Sequence, residues 1–372
     1  MNTEQFSNSL TTGRRNFFKQ TAAGATGLAL STLGLSGCTS NVGNLQTHRR
    51  QIVKPDSSKV SFVANTDSRD AAYQSLKPLA SDIKRDIGEK RVVIKINSGQ
   101  VTKDKWLNAS DANFVAGILD FLKEIHDKPV TIAESTAAST TTMVGFENYG
   151  YMPLAKEFNV KFLDLNDDTF TQKWILTEKN HPLAINIIDT FIDPDVYLIS
   201  ATRLKTHNNI IATLSLKNVV MAAPVNHYKQ QARVSANGVP RNEKPLMHSG
   251  GNKGLSYNLF RIASEGVQPD LSVLDGVVGM EGNGPVDGTP VEQGVALAST
   301  DWVAADRIGV ELMGINYEEI KYVQWCSAAG MGNDDLSKIT VMGPDYKQHI
   351  QAYKLHRSIE QQRQWIIEDY NI

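Results

Sequence analysis

Cysteine is nearly absent from this sequence: Cys38 and Cys326 are the only two in 372 residues. Two thiols cannot hold a cysteine-ligated iron–sulfur cluster, and they cannot build a disulfide framework. Neither sign of charge dominates, with 38 Lys and Arg against 40 Asp and Glu, which excludes a globally basic nucleic-acid binder. With 41% hydrophobic residues the chain is also not a disordered polyelectrolyte. Beyond residue 40 no run approaches the roughly 20 apolar residues that a spanning helix needs. No repeat of fixed period is seen.

What is present begins with an address. Arg14-Arg15-Asn16-Phe17-Phe18-Lys19 precedes a mildly apolar run from Thr21 to Leu35, closed by Leu35-Ser36-Gly37-Cys38. A paired arginine, a short apolar run and small residues before a cysteine form, in that order, a twin-arginine export signal ending in a lipobox. The expectation is export through the twin-arginine translocation machinery and lipidation of Cys38. That makes the protein a membrane-anchored lipoprotein facing the periplasm or another extracytoplasmic side. Cys326, in Val323-Gln324-Trp325-Cys326-Ser327, then reads as a small packed hydrophobe.

Residues 39–58 are polar and without periodicity, as a tether would be. Apolar and amphipathic runs alternate after it. Strands are expected at residues 92–97, 130–135, 160–163, 196–199, 271–274, 295–298 and 339–342. A helix with the face Phe114, Ile118, Phe121, Leu122 and Ile125 should start at Ser110 or Asp111, and another should run from Trp302 to Gly314. This order predicts an α/β three-layer sandwich around a largely parallel or mixed sheet, over residues 59–345. Asn226 to Asn258 reads as a long inserted loop, either a lid or a surface insertion, and residues 346–372 as a polar C-terminal helix on the surface.

In such sheets ligands collect at the carboxyl ends of the strands. Asn97, Glu134, Asp275 and Asp301 each close an apolar run, although Asp301 equally suits the N-cap of the helix that follows, and Glu134 or Asp275 a turn. Charge is also partitioned along the chain. From Arg203 to Lys253 there are eight basic residues (Arg203, Lys205, Lys217, Lys229, Arg233, Arg241, Lys244, Lys253), the histidines His207, His227 and His248, and one acid, Glu243. From Ser264 to Asp306 there are eight acids and no Lys or Arg. Either the two segments pair across a surface, or they form a basic and an acidic wall of one cleft. In the cleft reading Asp275, Glu281 and Asp301, with Asn283 nearby, offer oxygen donors to a divalent metal ion. Lys205, His207 and Lys217 would hold a small anionic ligand or move a proton, with Lys95, Asn97, Glu134, Asn218 and His248 around it.

Several of these residues lie in runs that resemble a known family. Lys205-Thr206-His207, Thr213-Leu214-Ser215-Leu216-Lys217-Asn218, Leu274-Asp275-Gly276, Met280-Glu281-Gly282-Asn283-Gly284-Pro285 and Ala298-Ser299-Thr300-Asp301-Trp302-Val303-Ala304-Ala305-Asp306 are similar to the domain of unknown function 362 family. The resemblance runs from about Val92 to Gly343. It implies no settled activity. The ferredoxin-like domain of some members lacks its cysteines here, so no iron–sulfur cluster is implied. Two functions stay open: a metal-assisted enzyme acting on a small anion, and a non-catalytic envelope lipoprotein that binds an anion or metal.

Overall fold

The computed structural model describes residues 55–229 and 242–369. The export signal, Cys38, most of the 39–58 tether, Arg233 and Arg241 lie outside the described residues. Twelve strands are found within them: β1 (Ser58–Ala64), β2 (Arg91–Lys95), β3 (Val130–Glu134), β4 (Val160–Asp164), β5 (Phe170–Leu176), β6 (Pro182–Ile188), β7 (Val196–His207), β8 (Ile211–Thr213), β9 (Leu271–Asn283), β10 (Asp287–Val291), β11 (Val295–Ser299) and β12 (Ile339–Met342).

Ten of them form one mixed sheet in the order β12-β1-β11-β9-β7-β2-β3-β4, with β10 added to β9 and β8 to β7, while β5 and β6 make a separate hairpin. From β9 to β4 every neighbour is parallel. β11 is antiparallel to both β9 and β1. This is the expected α/β sandwich. Its strands are apolar on both faces because both faces are covered. Val93, Leu198, Leu274 and Leu297 enter a core roofed by the helices Ser215–Val220, Gly251–Ala263, Trp302–Leu312 and Lys321–Ala328. Val92, Ile94, Ile199 and Val273 enter the core beneath Ser68–Leu76, Ala80–Ile87 and Ala112–Ile125. Each fully buried Leu, Ile, Val or Phe contributes about 1.5–3 kcal/mol by leaving water. Cys326 is packed in the first core as expected.

The helix starts follow from capping. Asp111 accepts hydrogen bonds from the Asn113 and Phe114 amides at 2.8 and 3.1 Å. Asp301 accepts from Val303 and Ala304 at 2.9 and 3.2 Å, and Gly314, with φ of 61°, lies just past the far end of that helix.

Three segments depart from the sequence reading. β7 and β9 run well past their apolar starts, because β8 and β10 pair with their polar halves (Lys205 opposite Thr213, Glu281 opposite Thr289). The stretch taken as a loop holds a tight turn, Lys244–His248, and the first turns of Gly251–Ala263, whose glycines mask an apolar face of Leu255, Leu259 and Ile262. Among the described residues the tail forms a 3-10 turn at Tyr346–His349 and an α-helix only over Ile359–Asp369. Before that it runs across the domain, with Tyr353 N–H donating to the Met313 carbonyl and Gly282 N–H to that of Lys354. Gln362 is buried and bridges the Ile211 amide and the His207 carbonyl.

Candidate anion site

At the carboxyl edge of the parallel strands lies a cavity of about 290 Å³. The ends of β2 and β3 bring Lys95, Asn97, Glu134 and Ser135 to it, β7 brings Lys205, the short helix Ser215–Val220 brings Lys217 and Asn218, and the turn after β8 and that helix brings Lys244 and His248. Pro285 and Val286 of the β9–β10 hairpin close one side. The hairpin can come that near only because residue 284 is glycine: a Cβ there would collide with the Thr206 carbonyl. The short helix is held from behind by Asp306, whose carboxylate accepts the Ser215 and Leu216 amides at 2.8 and 3.2 Å.

Four lysines therefore face one another with a single carboxylate, Glu134, among the lining side chains. Lys95 pairs with Glu134 at 2.9 Å and donates also to Asn218 Oδ1 at 2.9 Å and to the Ile96 carbonyl. Glu134 is further held by the Ser98 and Ser135 amides at 2.5 and 2.7 Å. Lys244 donates to Ser135 Oγ and to the carbonyls of Ala222 and Pro224, at 2.6, 2.7 and 2.6 Å. Lys205 donates to the Asn108 carbonyl at 2.6 Å and to Asn97 Oδ1, and Asn97 donates in turn to Asn218 Oδ1 at 2.8 Å. Among the described residues the ammonium of Lys217 has no hydrogen-bond or ion-pair partner, although the residue is only 9% exposed.

Burial and mutual repulsion act on these groups in the same direction. Burial, then the neighbouring Lys95, pushes Lys217 down to about 7. Burial brings Lys244 to about 7 as well, against the opposing pull of Glu134. Lys205 is held well below the usual lysine range by burial and by Lys217, and Lys95 is lowered by burial in spite of Glu134. His248 falls to about 4, through burial and then Lys217, so its imidazole is neutral at physiological pH. Such a site holds three or four positive charges in a small volume when protonated, and a negative guest relieves the repulsion.

Of the residues singled out by sequence, Lys95, Asn97, Glu134, Lys205, Lys217, Asn218 and His248 converge on this cavity. The other five do not line it. His207 lies two residues beyond Lys205 on β7, buried, with Nδ1 accepting the Asn209 amide at 3.0 Å. Asn209 then meets His248 Nδ1 at 2.8 Å, so His207 supports the site from behind. Asn283 is exposed in the hairpin. The three carboxylates expected to share a metal ion are not brought together. Asp275 is in the middle of β9 rather than at a strand end, fully buried, and faces Arg203 at 3.3 Å. Burial pushes its carboxyl up to about 6. Glu281 accepts the Lys354 amide at 2.8 Å. Asp301 lies at the opposite edge of the sheet, because β11 runs antiparallel to its neighbours, and there it caps a helix and accepts from Ser58 Oγ at 2.5 Å and the Asn333 amide at 2.8 Å. Among the described residues no three His, Cys, Asp or Glu side chains are grouped so as to hold a metal. Sequence reasoning missed Lys244, counting it only as one basic residue in a long loop. Its signal was Glu243-Lys244-Pro245, a proline-started turn directly after a buried acid.

The thylakoid-associated protein sll1697 of Synechocystis sp. is 25% identical to this chain over 204 residues, 54% of this chain and 56% of that protein. The chain thus spans about half the length of this curated relative. Among solved structures, the lactate racemase apoprotein of Thermoanaerobacterium thermosaccharolyticum is similar at 11% identity and a TM-score of 0.35, over 64% of this chain and 53% of that one. A protein of Thermotoga maritima is similar at 10% identity and a TM-score of 0.36, over 70% of this chain and 58% of its own. A family model described as a domain of unknown function, DUF362, matches residues 92–311. That span includes every side chain lining the cavity, and the chain belongs to that family.

Proposed function

We propose that the protein is an exported lipoprotein that binds a small anion in the lysine cavity. What supports the anion is Lys217: a cation-forming side chain nine-tenths buried, facing a cavity, and without a partner among the described residues. An unpaired buried ammonium is costly, and such costs persist where a ligand relieves them. The volume suits a guest of a few to a dozen heavy atoms, carrying one or two carboxylate or phosphate groups for Lys205 and Lys217. What supports export and anchoring is the run Arg14 to Cys38.

Calorimetric titration of the mature protein with succinate and with inorganic phosphate at pH 7 and low salt tests the site. Saturable binding of either, weakened at least tenfold (about 1.4 kcal/mol) by Lys217→Met, is the expected result. No heat from either anion would overturn the reading. Anchoring is tested by Cys38→Ser, which should release the protein from the membrane fraction, and export by replacing Arg14 and Arg15 with lysine, which should retain it in the cytoplasm.

A further inference from the structure

We propose that Lys217 is a nucleophilic amine that condenses with a 2-oxo acid held in the cavity, forming a covalent imine. The proposal rests on the anion-site reading and adds to it the class of the guest and a chemical step. Its ground is how the four lysines are used. The ammonium groups of Lys95 and Lys244 each have three acceptors, which occupies all their protons, and that of Lys205 has two. Three of the lysines thereby have hydrogen-bond acceptors built around them. Among the described residues Lys217 has none, although it sits beside them.

A structural lysine would be paired, and a solubilising one would be in water. A free-base amine needs neither, and leaving it uncharged avoids adding a further positive charge to a group of lysines that shares one carboxylate. Its lowered proton affinity, from burial and from Lys95, leaves a large fraction of free base at neutral pH. The neighbouring Lys205, with two acceptors and one donor position to spare, then serves the guest's carboxylate, whose charge favours its ammonium form. His248 supplies a neutral imidazole in the same cavity, fixed at Nδ1 by Asn209.

The step balances without any oxidant. The Lys217 nitrogen attacks the keto carbon, a C–N bond forms, and the C=O π electrons move to oxygen. A proton passes from nitrogen to that oxygen through His248, giving the carbinolamine. The C–O bond then breaks, the hydroxyl takes up one proton and leaves as water, and the nitrogen lone pair closes the C=N bond. The protonated imine withdraws electrons from the adjacent carbons, so proton loss or carbon–carbon cleavage beside it is the reaction class it opens.

The test uses the full mature chain with 2-oxoglutarate or pyruvate and sodium cyanoborohydride, read by intact mass and peptide mapping. The expected product is a single adduct, heavier by the oxo acid less one oxygen atom, on the peptide carrying Lys217. It should be suppressed by excess succinate and absent in Lys217→Arg, which keeps a cation but forms no imine under these conditions. Mapping the wild-type adduct stands on its own if that variant folds poorly. Adducts spread over surface lysines, or unchanged in Lys217→Arg, would sink the imine. If succinate binds and neither oxo acid is trapped, the imine falls and the anion site stands. If neither succinate nor phosphate binds, both fall.

Discussion

The two edges of the central sheet each carry a hollow, and the larger is the less informative. The hollow at the amino edge of the parallel strands has about 710 Å³ and is lined by Lys59, Asp82, Arg85, Asp86, Asp270 and Asp301 among others. Four of its charges pair with one another: Lys59 meets Asp82 at 3.2 Å, and Arg85 meets Asp82 and Asp86 at 2.8 Å each. The smaller cavity at the carboxyl edge gathers four lysines around one carboxylate and leaves Lys217 without a partner among the described residues. Size does not distinguish a binding site here, but unbalanced buried charge does, because a fold keeps it only where something else balances it.

The sharpest way to break that comparison is to remove one acid from each edge. Glu134→Gln leaves Lys95 buried without its counter-charge, and should cost about 3–5 kcal/mol in urea denaturation, as broken buried pairs do. Asp82→Asn, at a pair open to water, should leave the urea midpoint without a resolvable change. Equal costs would mean that the two edges are not electrostatically different.

Next in size is the support behind Lys217. Asp306→Ala leaves the Ser215 and Leu216 amides buried without acceptors, a loss of about 1–3 kcal/mol. Because those amides start the helix that carries Lys217, succinate affinity should fall together with stability. Asp306→Asn should restore part of both. If Asp306→Ala lowers stability and leaves affinity intact, the position of Lys217 is set by something else.

The comparison also has a pH signature. Lys217 and Lys244 are pushed down to about 7 in the folded protein, whereas an unfolded chain keeps lysines protonated to about 10.4. Between those values the unfolded state binds more protons, so the unliganded protein should gain stability as pH rises through the window. A bound anion reverses the preference by holding the ammonium forms. Succinate binding should therefore take up protons near neutrality and weaken above about pH 7, by about tenfold per pH unit for each lysine recharged. Calorimetry in buffers of different ionisation enthalpy counts those protons directly.

How far the sequence could lead follows from strand direction. Asn97, Glu134 and Lys205 were legible because they follow apolar runs that all point the same way in a parallel sheet, and Lys217 and Asn218 because they fall in the basic block that follows. Asp301 also follows such a run, but β11 is reversed, and nothing local to Val295–Ser299 records its direction. Asp275 was misplaced for a different reason: β9 continues to Asn283 through polar residues that β10 pairs, so the end of the apolar run was not the end of the strand. The basic block does line the cavity, through Lys205, Lys217 and Lys244, but the acidic block forms no facing wall: Asp275 meets Arg203 and Asp301 caps a helix. The free state of Lys217 depends on where three other lysines find acceptors, which only the folded arrangement determines.

The smallest expected effect tests that correction. Asp301→Ala removes the N-cap of the helix Trp302–Leu312 and the acceptor for Ser58 and Asn333, and should cost about 0.5–2 kcal/mol. Because Asp301 lies at the amino edge, a whole strand length from Lys217, succinate affinity and its pH dependence should stay at the wild-type values. A loss of affinity matching that of Lys217→Met would reinstate the acidic segment as part of the site. A loss of stability alone leaves the anion with the lysines of the carboxyl edge.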